Sequence, residues 1–429
     1  MRDRADVRGI RRFERTAWGR RYSTVDGQLR ELWLPSIGTV RDNRPDAELA
    51  AAAAVLAKGG PAVLDKWWLP YSQRGDHTQA PQSVRVVGFG SLDGRVEELF
   101  EGDQHTVAQA YKTHTAPVFA RAVGTADPIA GSSCVACKAI DGCTTLVRTE
   151  ALWGSPVRTG LRRPRRSLSV WDLRVHTQCP ARYHLTRQLN LRDSDGESPA
   201  IRRGRAVDAW LNEHHNRPAP DGCRGEPGPS DPGHWSAGGH ELTGSDARDG
   251  AAMLQRHRAL CPLGRTESFA DFEVQRQVTT YVPELDVVVI ATPDLLYTDA
   301  GGWVWRETKT SRSPLWDRAP LMRTYPQLAM ATLLLAAGAL PGAPRRARVE
   351  LEVLTPDRCA LETLDPSRSD VVDQAREVIA EMAEPLLSDE QFAPRTDQHC
   401  RDCEVRRWCA AGREYLIPAI DSDTGQEHR

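Results

Sequence analysis

Asp294, Glu307 and Lys309 are the residues whose types and spacing most directly suggest chemistry. The run DVVVIATPDLLYT over 286–298 is apolar and β-branched, DAGG turns the chain, and WVWRETKT continues it, which predicts a β-hairpin. If Thr298 pairs with Trp303, Asp294 faces Glu307 with Cβ atoms about 5 Å apart. Lys309 lies two residues beyond Glu307 and shares its face. Two like charges so close are accounted for by a divalent cation between them, Mg2+ or Mn2+. Such a pair with a neighbouring ammonium group suits phosphodiester hydrolysis, the metal polarising the phosphate and the lysine serving the attacking water. An isolated E-x-K reads more simply as a solvated strand face. Here the register, the preceding Pro293 and the scarcity of lysine favour chemistry: of 56 basic residues only Lys58, Lys66, Lys112, Lys138 and Lys309 are lysine. A lysine kept in so arginine-rich a chain is one that arginine does not replace.

The cysteines form the second constellation. Cys134, Cys137 and Cys143 have the spacing C-x2-C-x5-C, and so do Cys400, Cys403 and Cys409. Three thiolates in a short turn-rich stretch need a fourth soft ligand to hold zinc or an iron–sulfur cluster, and spacing does not choose between the two. Cys179 is the natural fourth for the second triplet. The first triplet has no cysteine before it, though Cys223 or Cys261 could be recruited to make a second metal site.

The elements that must position these groups repeat along the chain. ELAAAAAVLAKG over 48–59 parallels QLAMATLLLAAG over 327–338, each a helix ending at glycine. A strand–turn–strand follows both (VRVVGFGSLDGRVEEL and VELEVLTPDRCALETL), then a helix, then a cysteine triplet. Residues 20–143 and 296–409 therefore read as two copies of one unit. Aligned this way, Glu31 matches Glu307 but Trp33 occupies the lysine position, so the first copy reads as degenerate. It also begins mid-unit, which implies a segment upstream of the first residue. The expected organisation is a degenerate unit over 1–150, a basic linker over 151–166, the chemically competent domain over 167–415 with a flexible Gly/Pro/Asp-rich insertion at 216–250, and a tail over 416–429.

At 429 residues, 40% hydrophobic and 27% charged, the chain suits a globular protein of two or three domains. A net charge of −2 excludes nucleic-acid binding by bulk charge, but not a local basic channel. The charged start shows no signal peptide and the apolar run near 328–340 is too short to span a bilayer, so a cytoplasmic, non-membrane protein is expected, its cysteines reduced or metal-bound.

Pro293-Asp294 followed by Glu307-Thr308-Lys309 resembles the PD-(D/E)xK nuclease motif, and residues 165–410 are similar to the RecB-like branch that carries a cysteine-clamped iron–sulfur cluster. The resemblance implies an α/β fold, a restriction-endonuclease-like core with a mixed central sheet flanked by helices. It makes Cys179-Pro180-Ala181-Arg182-Tyr183 the clamp's early helix, with Cys179, Cys400, Cys403 and Cys409 holding [4Fe–4S], zinc being the alternative. It puts Asp208 where the family has an accessory metal-binding histidine. Gln327 matches the first residue of the family's Gln-x-x-x-Tyr motif, while Ala331 stands at the tyrosine position and Tyr325 is out of register.

The reading is thus a Mg2+-dependent DNA nuclease acting on single strands or ends, in repair, recombination or defence. Trp303, Trp305 and Trp316 offer stacking surfaces for unpaired bases, with a tryptophan-rich core as the plainer alternative, and Arg162, Arg163, Arg165 and Arg166 offer phosphate contacts. No P-loop occurs, so unwinding would come from a separate helicase subunit. The rival readings are a non-catalytic DNA-binding scaffold and a redox- or metal-sensing cysteine protein.

Overall fold

The structure is a computed structural model describing all residues except 1, 8–10, 42–43, 61, 64–71, 74–79, 125–127, 155–163, 192–197, 217–221, 264–271, 313–319, 343 and 417–429. It divides into two compact units. The smaller comprises Met1–Asp127, Leu185–Ser194 and His399–Arg429, and the larger Pro128–His184 and Asp195–Gln398.

In the smaller unit β1 (Arg20–Ser23), β2 (Leu29–Ser36), β3 (Ser83–Gly90) and β4 (Val96–Asp103) form one sheet in that order. The outer pairs are antiparallel and β2 runs parallel to β3, so the intervening helix α1 (Asp46–Lys58) is a crossover. Alternation along the strands turns Leu32, Leu34, Val84 and Val86 to α1, where Leu49, Ala53 and Leu56 complete the core. Buried Arg30 donates to the carbonyls of Leu56 and Ala57 at 3.2 Å, satisfying acceptors that the last helical turn leaves open.

The larger unit first adds β5 (Val147–Arg148), β6 (Arg166–Leu168) and three helices: α2 (Val170–Gln178), α3 (Pro199–His215) and α4 (Gly244–Leu260). Then come β7 (Phe272–Val274), β8 (Val278–Val282), β9 (Val287–Ala291), β10 (Leu295–Asp299) and β11 (Gly302–Thr310). Helix α5 (Pro326–Ala336), β12 (Arg348–Leu354), β13 (Cys359–Leu364) and α6 (Ser369–Ser388) finish it. Its main sheet has the order β7-β10-β11-β12-β13, a mixed sheet in which only β11 and β12 are parallel, with α5 as their crossover. From β10 onward this repeats the strand order and directions of β1 to β4. A second sheet has the order β6-β9-β8-β5. One side of the main sheet, through Trp303, Trp305, Val349, Leu351 and Val353, shares a core with α5 and α6. Leu354 on the opposite side packs with α3 and α4. This is the expected mixed sheet flanked by helices.

Segment boundaries differ from the expected ones in three places. Ile140 and Leu146 pack with Tyr281 and Val288, so residues from Pro128 onward are counted with the larger unit rather than ending at 150 with the first copy, while His399 onward is counted with the smaller. The basic stretch ends inside folded structure: Arg165 pairs with Asp286 at 2.6 Å and donates to the Cys137 carbonyl at 2.9 Å, and Arg166 begins β6. Arg162 and Arg163 lie outside the described residues, as do most of the linker and the tail from 417. Residues 216–250, expected to be irregular, contain a hairpin (His234–Ala237 with His240–Thr243) and the start of α4. Period-2 burial explains it: Trp235, Ala237 and Leu242 turn inward and pack on α3 and α4, so tertiary contacts outweigh the turn-rich composition.

Among the described residues no helix is long and apolar enough to cross a membrane.

Candidate active site

The hairpin β10–β11 pairs Thr298 with Trp303 and Leu295 with Arg306, and Asp294 stands immediately before the first strand. Its Oδ2 accepts from the Thr308 amide at 2.7 Å, which fixes the carboxylate beside the neighbouring strand. Lys309 Nζ lies 3.3 Å from Glu307 Oε2 and 3.6 Å from Asp294 Oδ2, and donates to the Thr308 carbonyl at 3.1 Å. Glu307 is 6% exposed, and its Oε1 accepts from the Trp305 indole at 3.0 Å.

Three helices close around this group. Ser169 caps α2 reciprocally with Asp172, and the face of α2 bearing Trp171, Arg174 and Gln178 lines a cavity of about 540 Å³ together with Glu307, Lys309 and Gln327. Gln327 is presented by the first turn of α5, whose Pro326 stands at its start. On the other side α3 comes close to β11 because Gly204 has no side chain: a Cβ there would sit 3.1 Å from Thr310 Oγ1. One turn further along α3, Asp208 lines a second concavity with Asp294, Thr308 and Lys309, and is held by Asn212 Nδ2 at 3.1 Å. Lys309 borders both concavities.

The charges behave as a crowded set. Burial, and then the Asp294 charge, push the Glu307 carboxyl up to about 7. The same two causes, in the same order, raise Asp208 to about 6. Burial alone would depress the Lys309 ammonium, but Asp294 and Glu307 outweigh it and hold it above its ordinary value. A cation between carboxylates whose ionisation is penalised relieves that penalty, so Asp294 and Glu307 on either side of Lys309, and Asp208 in the concavity it shares with Asp294, are candidate ligands for a hard divalent metal.

A protein-family model of the PD-(D/E)XK nuclease superfamily matches residues 167–410, more than half of the chain. The chain belongs to the PD-(D/E)XK nuclease superfamily. Nucleases of this superfamily use divalent metals. The chain is also similar to the crystal structure of SSO0001, at 17% identity over 61% of this chain and 95% of that one, with a TM-score of 0.29. No curated protein matches it.

Within this superfamily fold the remaining sequence candidates fall as follows. Trp303 and Trp305 are 9% and 1% exposed and belong to the core, so neither offers a ring to a base. Trp316 lies outside the described residues. Ala331 is wholly buried in the core on α5. Cys179 belongs to the larger unit, where its Sγ accepts from the Arg395 amide at 3.4 Å; Cys400, Cys403 and Cys409 belong to the smaller, where Cys409 Sγ accepts from the Gly412 amide at 3.3 Å. Cys134 and Cys143 pack beside Ile140 and Leu146.

Glu31 is not placed as Glu307 is. Leu32 and Leu34 face the crossover helix α1, so Glu31 points to the opposite side of its strand, where Arg85 Nη1 and the Trp33 indole hold it at 3.1 and 3.0 Å. Glu307, by contrast, lines its cavity with Gln327 of the crossover helix. The helix-facing positions of that strand, Arg30, Leu32 and Leu34, carry no carboxylate. Sequence reasoning also missed Trp171, Arg174 and Gln178. Their spacing of three and four residues at one helix face was the available signal.

Proposed function

We propose that this chain is a Mg2+-dependent DNA nuclease that hydrolyses phosphodiester bonds in single strands or at DNA ends. The observation that carries the reading is the convergence of Asp294, Glu307 and Lys309 on one hairpin, with Asp208 of α3 lining a concavity with Asp294 and Lys309. Asp294, Glu307 and Asp208 would hold the metal, which when bound supplies Lewis-acid polarisation of the phosphate and a lowered pKa for water. Lys309 orients the attacking water and offsets negative charge developing on the phosphate. Thr308 fixes Asp294, Trp305 fixes Glu307, and Gln327 positions the substrate from the start of α5.

Arg174 and Arg182 line the same cavity as Glu307 and give it the positive charge a phosphate backbone needs, although the whole chain is nearly neutral. Trp171, 40% exposed at the same cavity, supplies the aromatic face for an unpaired base that Trp303 and Trp305 do not. Spacing and family likeness alone support an iron–sulfur cluster on Cys179, Cys400, Cys403 and Cys409, and the absence of a P-loop from the sequence supports a separate helicase.

The deciding experiment incubates purified protein with single-stranded and duplex DNA, with Mg2+ or with chelator. Mg2+-dependent cleavage that favours single strands or ends and disappears in Asp294→Ala is expected. Binding without cleavage under all metal conditions would replace the nuclease by a scaffold.

A further inference from the structure

Four side chains that the nuclease reading does not use meet inside the larger unit. His215 ends α3, Cys223 sits on the turn Gly222–Arg224, His257 lies in the last turn of α4 and Cys261 caps that helix. All four are buried, and one ligand atom from each lies within 4.8 Å of the others. His215 Nε2 and His257 Nε2 are 3.2 Å apart, and Cys261 Sγ is 3.8 Å from His215 Nε2. Tetrahedral Zn2+, with bonds of about 2.0–2.1 Å to nitrogen and about 2.3 Å to sulfur, separates two nitrogens by about 3.3 Å and nitrogen from sulfur by about 3.5 Å.

The surroundings select the same chemistry. His257 Nδ1 lies 2.7 Å from Glu352 Oε1, and both side chains are fully buried. A Nδ1–H directed at that carboxylate leaves the Nε2 lone pair aimed into the cluster, the arrangement by which carboxylates orient metal-bound histidines. Glu352 is itself 3.6 Å from Arg306, which donates to the Leu260 carbonyl at 2.9 Å beside Cys261. The Cys223 turn is also built to fit: Gly222 has φ +53°, and a Cβ there would fall 2.2 Å from the Leu263 carbonyl oxygen.

We propose that His215, Cys223, His257 and Cys261 bind one structural Zn2+. Four protein ligands leave no open position, so the ion is a clamp and not a second reaction centre. It ties α3 to α4 and, through Glu352, to the strand paired with β11. His215 is two turns beyond Asp208 on α3, so the clamp steadies the helix that presents Asp208.

Metal analysis and zinc-edge X-ray absorption on the full chain test this directly. Expected is one zinc per chain with two sulfur and two nitrogen neighbours, kept when Cys400 and Cys403 are both changed to serine and lost in Cys223→Ser/Cys261→Ser. Replacement by Co2+ should give the visible bands of a tetrahedral thiolate site in the parent. Glu352→Gln, which keeps size and leaves all four ligands, should weaken zinc retention against a chelator about 10–100-fold. The absence of zinc from the parent, an all-sulfur shell, iron in its place, or unchanged zinc in the double serine variant would each overturn the proposal. The parent spectrum decides the matter even if the serine variant does not fold.

Discussion

The indole N–H of Trp305 donates to Glu307 Oε1 at 3.0 Å, along one face of a single strand. A tryptophan whose sequence suited either the core or base stacking is buried, and it also holds a carboxylate. The bond favours the anionic form of Glu307 against the burial that raises its pKa. Trp305→Phe should therefore push the acidic limb of the cleavage profile to higher pH and weaken Mg2+ by roughly the 1.5–3 kcal/mol of a hydrogen bond to a charged group. A profile superimposable on that of the parent would show that the indole only fills space.

Lys309→Ala should reduce cleavage by about 10²–10⁴ with DNA binding retained, the loss typical of a group that acts on a proton. Lys309→Arg keeps the charge but not the compact ammonium, and should remain impaired. Rates measured across a Mg2+ titration check both. Parental turnover in either variant would move the active site elsewhere.

The pH response of the metal-free protein follows from two raised carboxyls, Glu307 at about 7 and Asp208 at about 6. Because folding favours their neutral forms, stability should fall as pH rises from the ordinary carboxyl range through about 7. Mg2+ requires the anions, so the stabilisation it confers should be slight near pH 5 and grow through the same window. Thermal unfolding with and without Mg2+ across that range checks the sign. A Mg2+ effect independent of pH would exclude these carboxyls as ligands.

Glu31→Ala should leave cleavage at the parental rate, since Glu31 faces away from its crossover helix and is engaged by Arg85 and Trp33. Its consequence should be confined to a small loss of stability, because Arg85 also reaches Glu98 at 3.2 Å. Circular dichroism melts alongside nuclease assays separate the two effects.

The hairpin was legible because a short turn fixes register, and register fixes which side chains meet. The matched segments likewise exposed the succession of helix, strand–turn–strand and helix in both stretches. The same matching misled the comparison of Glu31 with Glu307: a match by residue type can be one residue out, and in a strand one residue reverses the face. Trp303 and Trp305 were ambiguous because a tryptophan suits a core as well as a groove. The His215, Cys223, His257 and Cys261 cluster was hidden by distance along the chain and by an insertion whose glycines and prolines looked structureless. Only His257 and Cys261, one helical turn apart, carried a local signal.

Sequence order and packing partition this chain differently. The segment Pro128–His184 begins within the first matched stretch, 20–143, yet belongs to the larger unit, and His399–Arg429 begins within the second, 296–409, yet belongs to the smaller. A chain divided near residue 150 would thus strand Ile140 and Leu146 away from Tyr281 and Val288.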